Sequence, residues 1–222
     1  MPGKSVCFIC PAMTVDLVLP ENRIEYAAPL MQMHHHRKRV FVDTLGWKLA
    51  SPYSWLEVDD FDDHRAVYLL ARSPLTGDHE GSVRLLPTTG PHMLSRIFSA
   101  LCSEPVPVGE DCWEISRLVS SPDTAPGASV IRVHRLLALA LVEFALLNSI
   151  KRFTLVTEAH RVPALLSVGW PVEPLGLPTF FMGQQVQALQ ISITPATLIK
   201  MRSRLRIATS VLENVGPDRC AA

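Results

Sequence analysis

The sequence predicts an α/β fold built on one mixed, twisted sheet, with antiparallel strands first and a strand–loop–helix–strand unit after them. Strand-like runs bounded by turn residues occupy residues 66–72, 81–86 and 113–119. A loop rich in Pro and Gly then leads to an apolar stretch of helical length at 129–149 and to another strand at 151–157. A helical crossover of this kind makes the two flanking strands parallel. We expect a groove where those two strands diverge.

The composition predicts one domain with a sizeable core. The chain has 222 residues, of which 48% are hydrophobic and 19% are charged, so we expect a single domain over 1–222 with its core at about 20–205 and short flexible tails. Lys plus Arg and Asp plus Glu both number 21, and this balance predicts neither a nucleic-acid partner nor an anionic membrane surface. Glu143 interrupts the apolar stretch 136–147, which predicts a buried helix and no membrane span.

The cysteines indicate a reducing compartment, and we expect a cytoplasmic protein. There are five of them, an odd and scattered set. Cys7 and Cys10 have CxxC spacing, but no second pair or histidine cluster completes a zinc site, and Pro11 follows where a redox motif needs a helix start. We interpret this spacing as incidental.

The remaining elements follow from local patterns. We expect a short strand near 15–19, and a helix over 21–39 that Pro29 splits near its first turns. Further along, the patterns predict a short helix over 91–101, another at 164–168, a strand pair within 172–193 and a helix over 194–205, with a frayed tail after it.

Three consecutive histidines, at 34–36, raise the question of a metal site. Neighbouring positions of a helix point about 100° apart, so these rings do not converge on one ion, and a solvated helix face is the simpler interpretation. Arg37 and Phe41 are four residues apart and share a helix face, close to Trp47. We expect no metal ion.

Charged residues on neighbouring strands mark a candidate site. Arg84 lies within one strand, while Glu114 and Arg117 lie on another, and such charges are costly inside a sheet without partners or a polar ligand. Asp59 and Asp62 are either turn and cap residues or the counter-charges for a cation.

Strand alternation predicts which side chains of the strand at 113–119 share a face. Trp113, Ile115 and Arg117 are expected on one face, with Glu114 and Ser116 on the other.

Several common catalytic motifs are absent from the sequence. It contains no dinucleotide-binding GxGxxG, no phosphate-binding P-loop, no GxSxG nucleophile elbow and no HExxH zinc motif. These absences disfavour dinucleotide oxidoreductases, P-loop kinases, serine hydrolases of that type and common zinc proteases.

From about residue 20 to 205 the chain resembles the acyl-homoserine lactone synthases, the LuxI-type autoinducer synthases of bacterial quorum sensing. The resemblance rests on the order and spacing of several elements: Arg37 with Phe41 and Trp47, residues 57–62, residues 81–91, Phe98, and residues 113–117. The family is similar in fold to GNAT-type acetyltransferases, which implies a three-layer α-β-α sandwich with a splayed strand cleft.

The resemblance implies a two-step reaction on S-adenosylmethionine (SAM). The SAM amine attacks an acyl thioester to give an amide, and the SAM carboxylate then closes the lactone and expels methylthioadenosine. SAM is a substrate here, so no cofactor is implied. The implied SAM-binding residues are Arg37, Phe41, Trp47, Asp59, Asp62 and Arg84.

The resemblance also implies roles in catalysis and in acyl binding. The catalytic set is Glu114 as the base that deprotonates the amine, with Arg117 and Asp62, where Arg117 either braces the carboxylates or neutralises developing charge. The residues implied in binding the acyl chain and pantetheine arm are Met93, Phe98, Ser116, Leu155, Thr157 and Trp170. Thr157 occupies a position that is associated in some members with chains oxygenated at C3.

The acyl donor and the reaction type leave alternatives open. The donor is either acyl–acyl carrier protein, for which basic runs such as 151–152 offer a surface, or acyl-coenzyme A, because residues 172–178 resemble the same stretch of some members that use it. A GNAT-like N-acyltransferase that forms no lactone is the main alternative, although its usual acetyl-coenzyme A signature is missing before the long helix. A non-catalytic sensor of SAM or of an acyl ligand is the other.

Overall fold

In the computed structural model, residues 13–49 and 51–213 are described, and their strands form one nine-stranded sheet. The strands are β1 (Val15–Val18), β2 (Val67–Arg72), β3 (His79–Pro87), β4 (Cys112–Ser120), β5 (Arg152–Glu158), β6 (Val172–Pro174), β7 (Thr179–Phe181), β8 (Gln184–Ser192) and β9 (Leu212–Glu213). The α-helices are α1 (Ala27–Arg37), α2 (Met93–Arg96), α3 (Ala128–Leu147), α4 (Val162–Ser167) and α5 (Pro195–Leu205).

The strand order is β6-β8-β5-β4-β3-β2-β1-β9, with β7 also paired to β8. Strands β1 to β4 pair in antiparallel fashion, and β4 and β5 are parallel, as the crossover through α3 predicts. The predicted mixed sheet is therefore confirmed.

Helices cover both faces of this sheet, because successive side chains of each strand point to opposite faces and both faces are apolar. On β2, Leu69 packs in the cluster that contains α3, whereas Leu70 packs in the cluster that contains Met33 of α1. Both leucines are fully buried. The result is a three-layer arrangement with α1 and α3 on opposite faces.

The helical segment before β2 differs in detail from the prediction. Pro29 does not split it, because Pro29 lies in the first turn of α1, where proline is tolerated. A 3₁₀ turn over Pro20–Tyr26 precedes α1, and a π-helix over Lys38–Thr44 continues from it. π-Helical turns are rare and often occur at functional sites.

The C-terminal part contains more strands than the sequence predicts. Residues 172–193 form three strands, because β6 and β7 each pair with β8. The expectation of a frayed tail after residue 205 is wrong for Leu212–Glu213, which pair in parallel with β1. Strands β1 and β9 thus extend the fold beyond both limits of the predicted core. Cys7 and Cys10 lie outside the described residues.

The cleft forms where β4 and β5 separate. The two strands pair from Cys112 and Arg152 to Ile115 and Leu155, and no pairing continues beyond that point. β4 nevertheless runs on to Ser120 and β5 to Glu158, so the gap opens toward their C-terminal ends. The predicted groove between diverging strands is present.

Two further observations concern the described part of the chain. None of its helices is long and apolar enough to cross a lipid bilayer. Within residues 13–49 and 51–213, no three His, Cys, Asp or Glu side chains are grouped so that they could hold a metal ion.

Candidate active site

A buried network of three arginines and three carboxylates lies between the sheet and the segment that precedes β2. Its members are Arg37, Arg84, Arg117, Glu57, Asp59 and Asp62. All six charges are paired within the network, which is therefore neutral as a whole.

Arg37 holds together the two ends of the loop segment that runs from Glu57 to Asp62. Its Nη1 and Nη2 donate to the two oxygens of Asp62 at 2.8 and 2.9 Å, and its Nε donates to Glu57. The Arg37 side chain is almost wholly buried. The bidentate geometry fixes the loop against the end of α1.

Arg84 and Arg117 both bind Asp59 from the sheet. Arg84 Nη1 and Nη2 lie 2.5 and 3.1 Å from the Asp59 carboxylate, and Arg117 Nη2 lies 2.7 Å from it. Arg84 also lies 2.8 Å from Asp62, and Arg117 lies 2.9 Å from Glu57. Asp59 and Asp62 therefore serve as counter-charges for arginines of this network, while Arg37 contacts Glu57 and Asp62.

The face predicted for Arg117 is wrong, and a β-bulge is the reason. The register between β3 and β4 shifts between the pairs Ser82↔Val119 and Arg84↔Ser116, so an extra residue is accommodated in β4. Arg117 has φ of +53°, a left-handed conformation that is rare for a residue with a side chain. The bulge turns Arg117 to the face of Glu114 and Ser116, where it meets the carboxylates.

The arginines keep Asp62 ionised. Burial alone would raise the pKa of Asp62, but Arg37 and Arg84 outweigh it and hold that pKa well below its usual range. Tyr68 Oη donates to the same carboxylate at 2.8 Å. Burial and the neighbouring Asp62 charge raise the pKa of Tyr68, so its hydroxyl stays protonated.

Glu114 lies at the N-terminus of α2. Its two oxygens accept hydrogen bonds from the backbone N–H groups of Met93 at 2.8 Å and Leu94 at 2.6 Å. Its side chain is buried, and burial raises its pKa although the two amides favour the charged form. A carboxylate with a raised pKa is a suitable general base.

Phe41 and Trp47 form an aromatic wall. Their rings stack with centroids 4.9 Å apart and an interplanar angle of 8°. The Arg117 guanidinium lies over the Phe41 ring at 5.7 Å. The π-helical turn places Phe41 here, next to the charged network.

A cavity of about 1540 Å³ passes through the cleft between β4 and β5. On the α1 side it is lined by Phe41, Trp47 and Asp59, and on the α3 side by Ala138, Leu141 and Trp170. One end is therefore aromatic and charged, and the other is mostly apolar.

The cavity brings most of the predicted site residues together, but not all. It is lined by Phe41, Trp47, Asp59, Met93, Phe98, Glu114, Ser116, Arg117, Leu155, Thr157 and Trp170. Arg37, Asp62 and Arg84 lie behind this lining: Arg37 and Arg84 are almost fully buried, and the Asp62 side chain is 2% exposed. Arg84 and Asp62 bind Asp59 directly, whereas Arg37 is linked to Asp59 through Asp62 and to Arg117 through Glu57.

Glu57 and Tyr68 are two members of this site for which the sequence predicts no role. Glu57 is fully buried and binds both Arg37 and Arg117, so it joins the two sides of the network. The sequence does contain one indication for Glu57, because this residue lies two positions before Asp59 in the same acidic segment. Nothing in the sequence distinguishes Tyr68 from other strand tyrosines.

Known proteins resemble this chain over most of its length. The family model for autoinducer synthases matches residues 21–198. The isovaleryl-homoserine lactone synthase of Bradyrhizobium diazoefficiens is 31% identical over 199 residues, which cover 88% of this chain and 87% of that protein. An acyl-homoserine-lactone synthase of Ralstonia nicotianae is 32% identical over 167 residues, covering 73% and 81%.

Solved structures agree with the sequence comparison. The coenzyme A-dependent acyl-homoserine lactone synthase BjaI, described with SAM and isopentyl-CoA, has a TM-score of 0.84 at 30% identity and covers 93% of this chain and 95% of its own. An acyl-CoA N-acyltransferase from Pseudomonas aeruginosa has a TM-score of 0.53 at 18% identity, which shows a shared fold. The predicted GNAT-like fold is thus confirmed, and the chain belongs to the autoinducer synthase family.

Proposed function

We propose that this protein is an acyl-homoserine lactone synthase that uses SAM and an acyl thioester. The SAM amine attacks the thioester carbonyl, which forms an amide and releases the thiol. The SAM carboxylate then attacks its own γ-carbon and breaks the bond to sulfur. The products are an N-acyl-homoserine lactone, which serves as a quorum-sensing signal, and methylthioadenosine.

The observation that carries this proposal is the continuous cavity through the splayed sheet. The reaction needs one charged substrate and one with a long apolar part, joined at a single point. The charged and aromatic end beside Asp59 suits SAM, and the apolar end beside Leu141 suits an acyl chain. The gap between β4 and β5 is where the two substrates meet.

SAM carries a sulfonium, an ammonium and a carboxylate, so its site needs both signs of charge. Asp59 lines the cavity and offers a carboxylate for a cationic group, while Arg117 lines it with a guanidinium for the SAM carboxylate. Phe41 and Trp47 supply an aromatic surface for the adenine or the sulfonium. Arg37, Asp62 and Arg84 act by holding Asp59 and Arg117 in position.

Glu114 is the proposed base in the acylation step. The ammonium of SAM must lose a proton before its nitrogen can attack, and the Glu114 carboxylate lines the cavity. Both of its oxygens accept backbone N–H groups, yet each retains a lone pair. We propose that it takes the proton directly or through one water molecule.

The donor is an acyl group carried on coenzyme A or on acyl carrier protein, and both deliver it on a pantetheine arm. We propose no resident cofactor, because SAM is consumed as a substrate. We propose a cytoplasmic protein, since SAM and acyl thioesters are formed in that compartment. The free thiols of Cys102 and Cys112 fit reducing conditions.

Purified protein incubated with SAM and a panel of acyl-coenzyme A and acyl–acyl carrier protein thioesters tests the proposal. Mass spectrometry should detect an N-acyl-homoserine lactone, with methylthioadenosine formed in equal amount. Amide product without methylthioadenosine would indicate an N-acyltransferase that does not lactonise. Tight binding of SAM by folded protein without turnover on any donor would indicate a sensor.

A further inference from the structure

One polar pair lines the cleft at a place that the residues assigned above leave unused. Ser120 is the last residue of β4, and His134 lies near the start of α3. Ser120 Oγ and His134 Nε2 are 2.8 Å apart, and both residues line the cavity. The pair joins the strand to the helix at the wall of the cleft.

The strand register places this pair at the open end of the cleft. β4 and β5 are hydrogen-bonded only as far as Ile115 and Leu155, so the gap widens toward Ser120. On α3, His134, Ala138 and Leu141 are spaced at i, i+4 and i+7, and all three line the cavity. The apolar part of the cavity therefore lies inward of the pair along the helix.

The pair has unused hydrogen-bonding capacity. Burial, with a smaller effect of Arg161, lowers the pKa of His134, so its ring is neutral with one N–H and one bare nitrogen. Among the described residues, no group hydrogen-bonds its Nδ1. If Ser120 donates to Nε2, the Nδ1–H remains free; if Nε2–H donates to Ser120, the hydroxyl hydrogen remains free. One donor and at least one acceptor stay available in either arrangement.

A nucleophilic role does not suit this pair. In a Ser–His–Asp triad a carboxylate binds the second ring nitrogen and orients the histidine. No carboxylate of the described residues hydrogen-bonds His134 Nδ1, so the pair has the features of a binding group.

We propose that Ser120 and His134 position the acyl donor by hydrogen-bonding an amide of its pantetheine arm. This inference rests on the proposed function, in which the acyl chain occupies the apolar end of the cavity. The arm must then leave through the open end, past the pair. Each of its two amides presents one N–H and one C=O, which match the free donor and acceptor.

Steady-state kinetics with acyl-coenzyme A test the inference. His134→Leu and Ser120→Ala should each raise KM for the donor about three- to ten-fold, the usual effect of losing one neutral hydrogen bond, with kcat and KM for SAM within about two-fold of wild type. The double variant should be no worse than His134→Leu, because the two side chains act as a unit. His134→Gln, whose amide keeps a donor and an acceptor, should recover most of the affinity.

Two comparisons separate this role from others. His160→Leu changes an exposed histidine outside the cavity and should leave all constants unchanged. An acyl ethanethiol thioester has no amide, so wild type and His134→Leu should use it equally well. 3-Oxoacyl and unsubstituted acyl-coenzyme A should show the same increase in KM.

The opposite results are equally clear. An increase in KM confined to 3-oxoacyl donors would overturn the inference and assign the pair to the acyl chain. Unchanged donor KM in an active enzyme would overturn it and leave the pair a tie between β4 and α3. Wild-type protein that makes no lactone from any donor would instead overturn the proposed function, and this inference with it.

Discussion

At the scale of single residues, Glu114 combines two tasks that a glutamine cannot perform together. Both of its oxygens accept N–H groups of α2, and one of them is the proposed proton acceptor. We expect Glu114→Gln to lower kcat by at least about 10²-fold, since the amide is not a base. The binding constant for SAM, measured by calorimetry, should stay within about three-fold.

The matched control for this change is Glu110→Gln, which alters an exposed carboxyl just before β4. It should keep wild-type turnover. If Glu114→Gln also keeps wild-type turnover, Glu114 is not the base.

Thr157 lines the cavity two residues beyond Leu155, where β5 no longer pairs with β4. We propose that its hydroxyl hydrogen-bonds an oxygen at C3 of the acyl chain. Thr157→Val keeps the shape and removes the hydroxyl, so we expect the preference for 3-oxo over unsubstituted donors to fall about three- to ten-fold. Competition between the two thioesters, with products measured by mass spectrometry, checks this, and an unchanged product ratio would make Thr157 part of the core only.

His79 should make the fold sensitive to acid. Burial, with a contribution from His36, lowers the pKa of His79 to about 3, whereas an unfolded histidine titrates near pH 6.5. Between these values the unfolded chain takes up a proton that the folded chain does not, so the free energy of unfolding falls as the pH falls. From about pH 7.5 to about pH 5.5 the loss due to His79 should be about 1 kcal/mol.

Urea denaturation of wild type and His79→Gln at both pH values measures this loss. The stability of the variant should depend less on pH by that amount. His160→Gln, at an exposed position, should follow the wild-type pH dependence. Parallel curves for wild type and His79→Gln would contradict the assignment.

At the scale of elements, β4 shows how one irregularity builds a site. Regular alternation would direct Arg117 toward α3, among apolar side chains. The bulge directs it to Glu57 and Asp59, at the cost of a left-handed backbone. Such strained residues are frequent at functional sites.

The end of α3 carries a similar irregularity without a functional reason. Ser149, two residues after the helix ends, has φ of +56°, and its side chain is exposed. Glycine adopts this conformation without the steric cost of a Cβ, so Ser149→Gly should raise the free energy of unfolding by about 1 kcal/mol. Denaturant titration measures it.

Ser203→Gly is the matched control, because Ser203 is exposed but lies inside α5. There glycine should lower stability by about 0.5 kcal/mol. If both variants change stability in the same direction, backbone conformation is not the cause.

At the scale of the whole molecule, Glu143 joins the C-terminal segment to the rest of the fold. This buried carboxylate of α3 accepts from Arg202 at 2.9 Å, from Ser210 at 2.9 Å, and from the backbone of Val211 and Leu212 at 3.0 and 3.2 Å. It therefore connects α3, α5 and β9.

Replacement of Glu143 by glutamine leaves four donors facing one oxygen and an NH₂ group. We expect Glu143→Gln to lower the free energy of unfolding by about 2–4 kcal/mol, measured by urea denaturation. Glu104→Gln, at an exposed carboxyl, should change it by less than about 0.5 kcal/mol. A loss no larger than that of the control would show that β9 is held by its pairing with β1 alone.

The sequence by itself determined the fold class and the family. Periodicity predicted β2, β3, β4, α3 and β5 closely, because each is a long, regular run with clear turn residues at its ends. It also indicated a charged cluster, since arginine and glutamate within apolar strands require partners wherever they lie.

Only the tertiary structure decided which charges pair, which side chains line the cavity and where β9 lies. Arg37 meets Glu57 and Asp62 because a loop of unpredictable path brings them together, and Arg117 changes face because of a bulge that alternation does not reveal. β9 is a two-residue strand, too short for any period, and exists because Glu143 and β1 bind it. Local spacing predicts elements, whereas contacts between residues distant in the chain depend on how those elements pack.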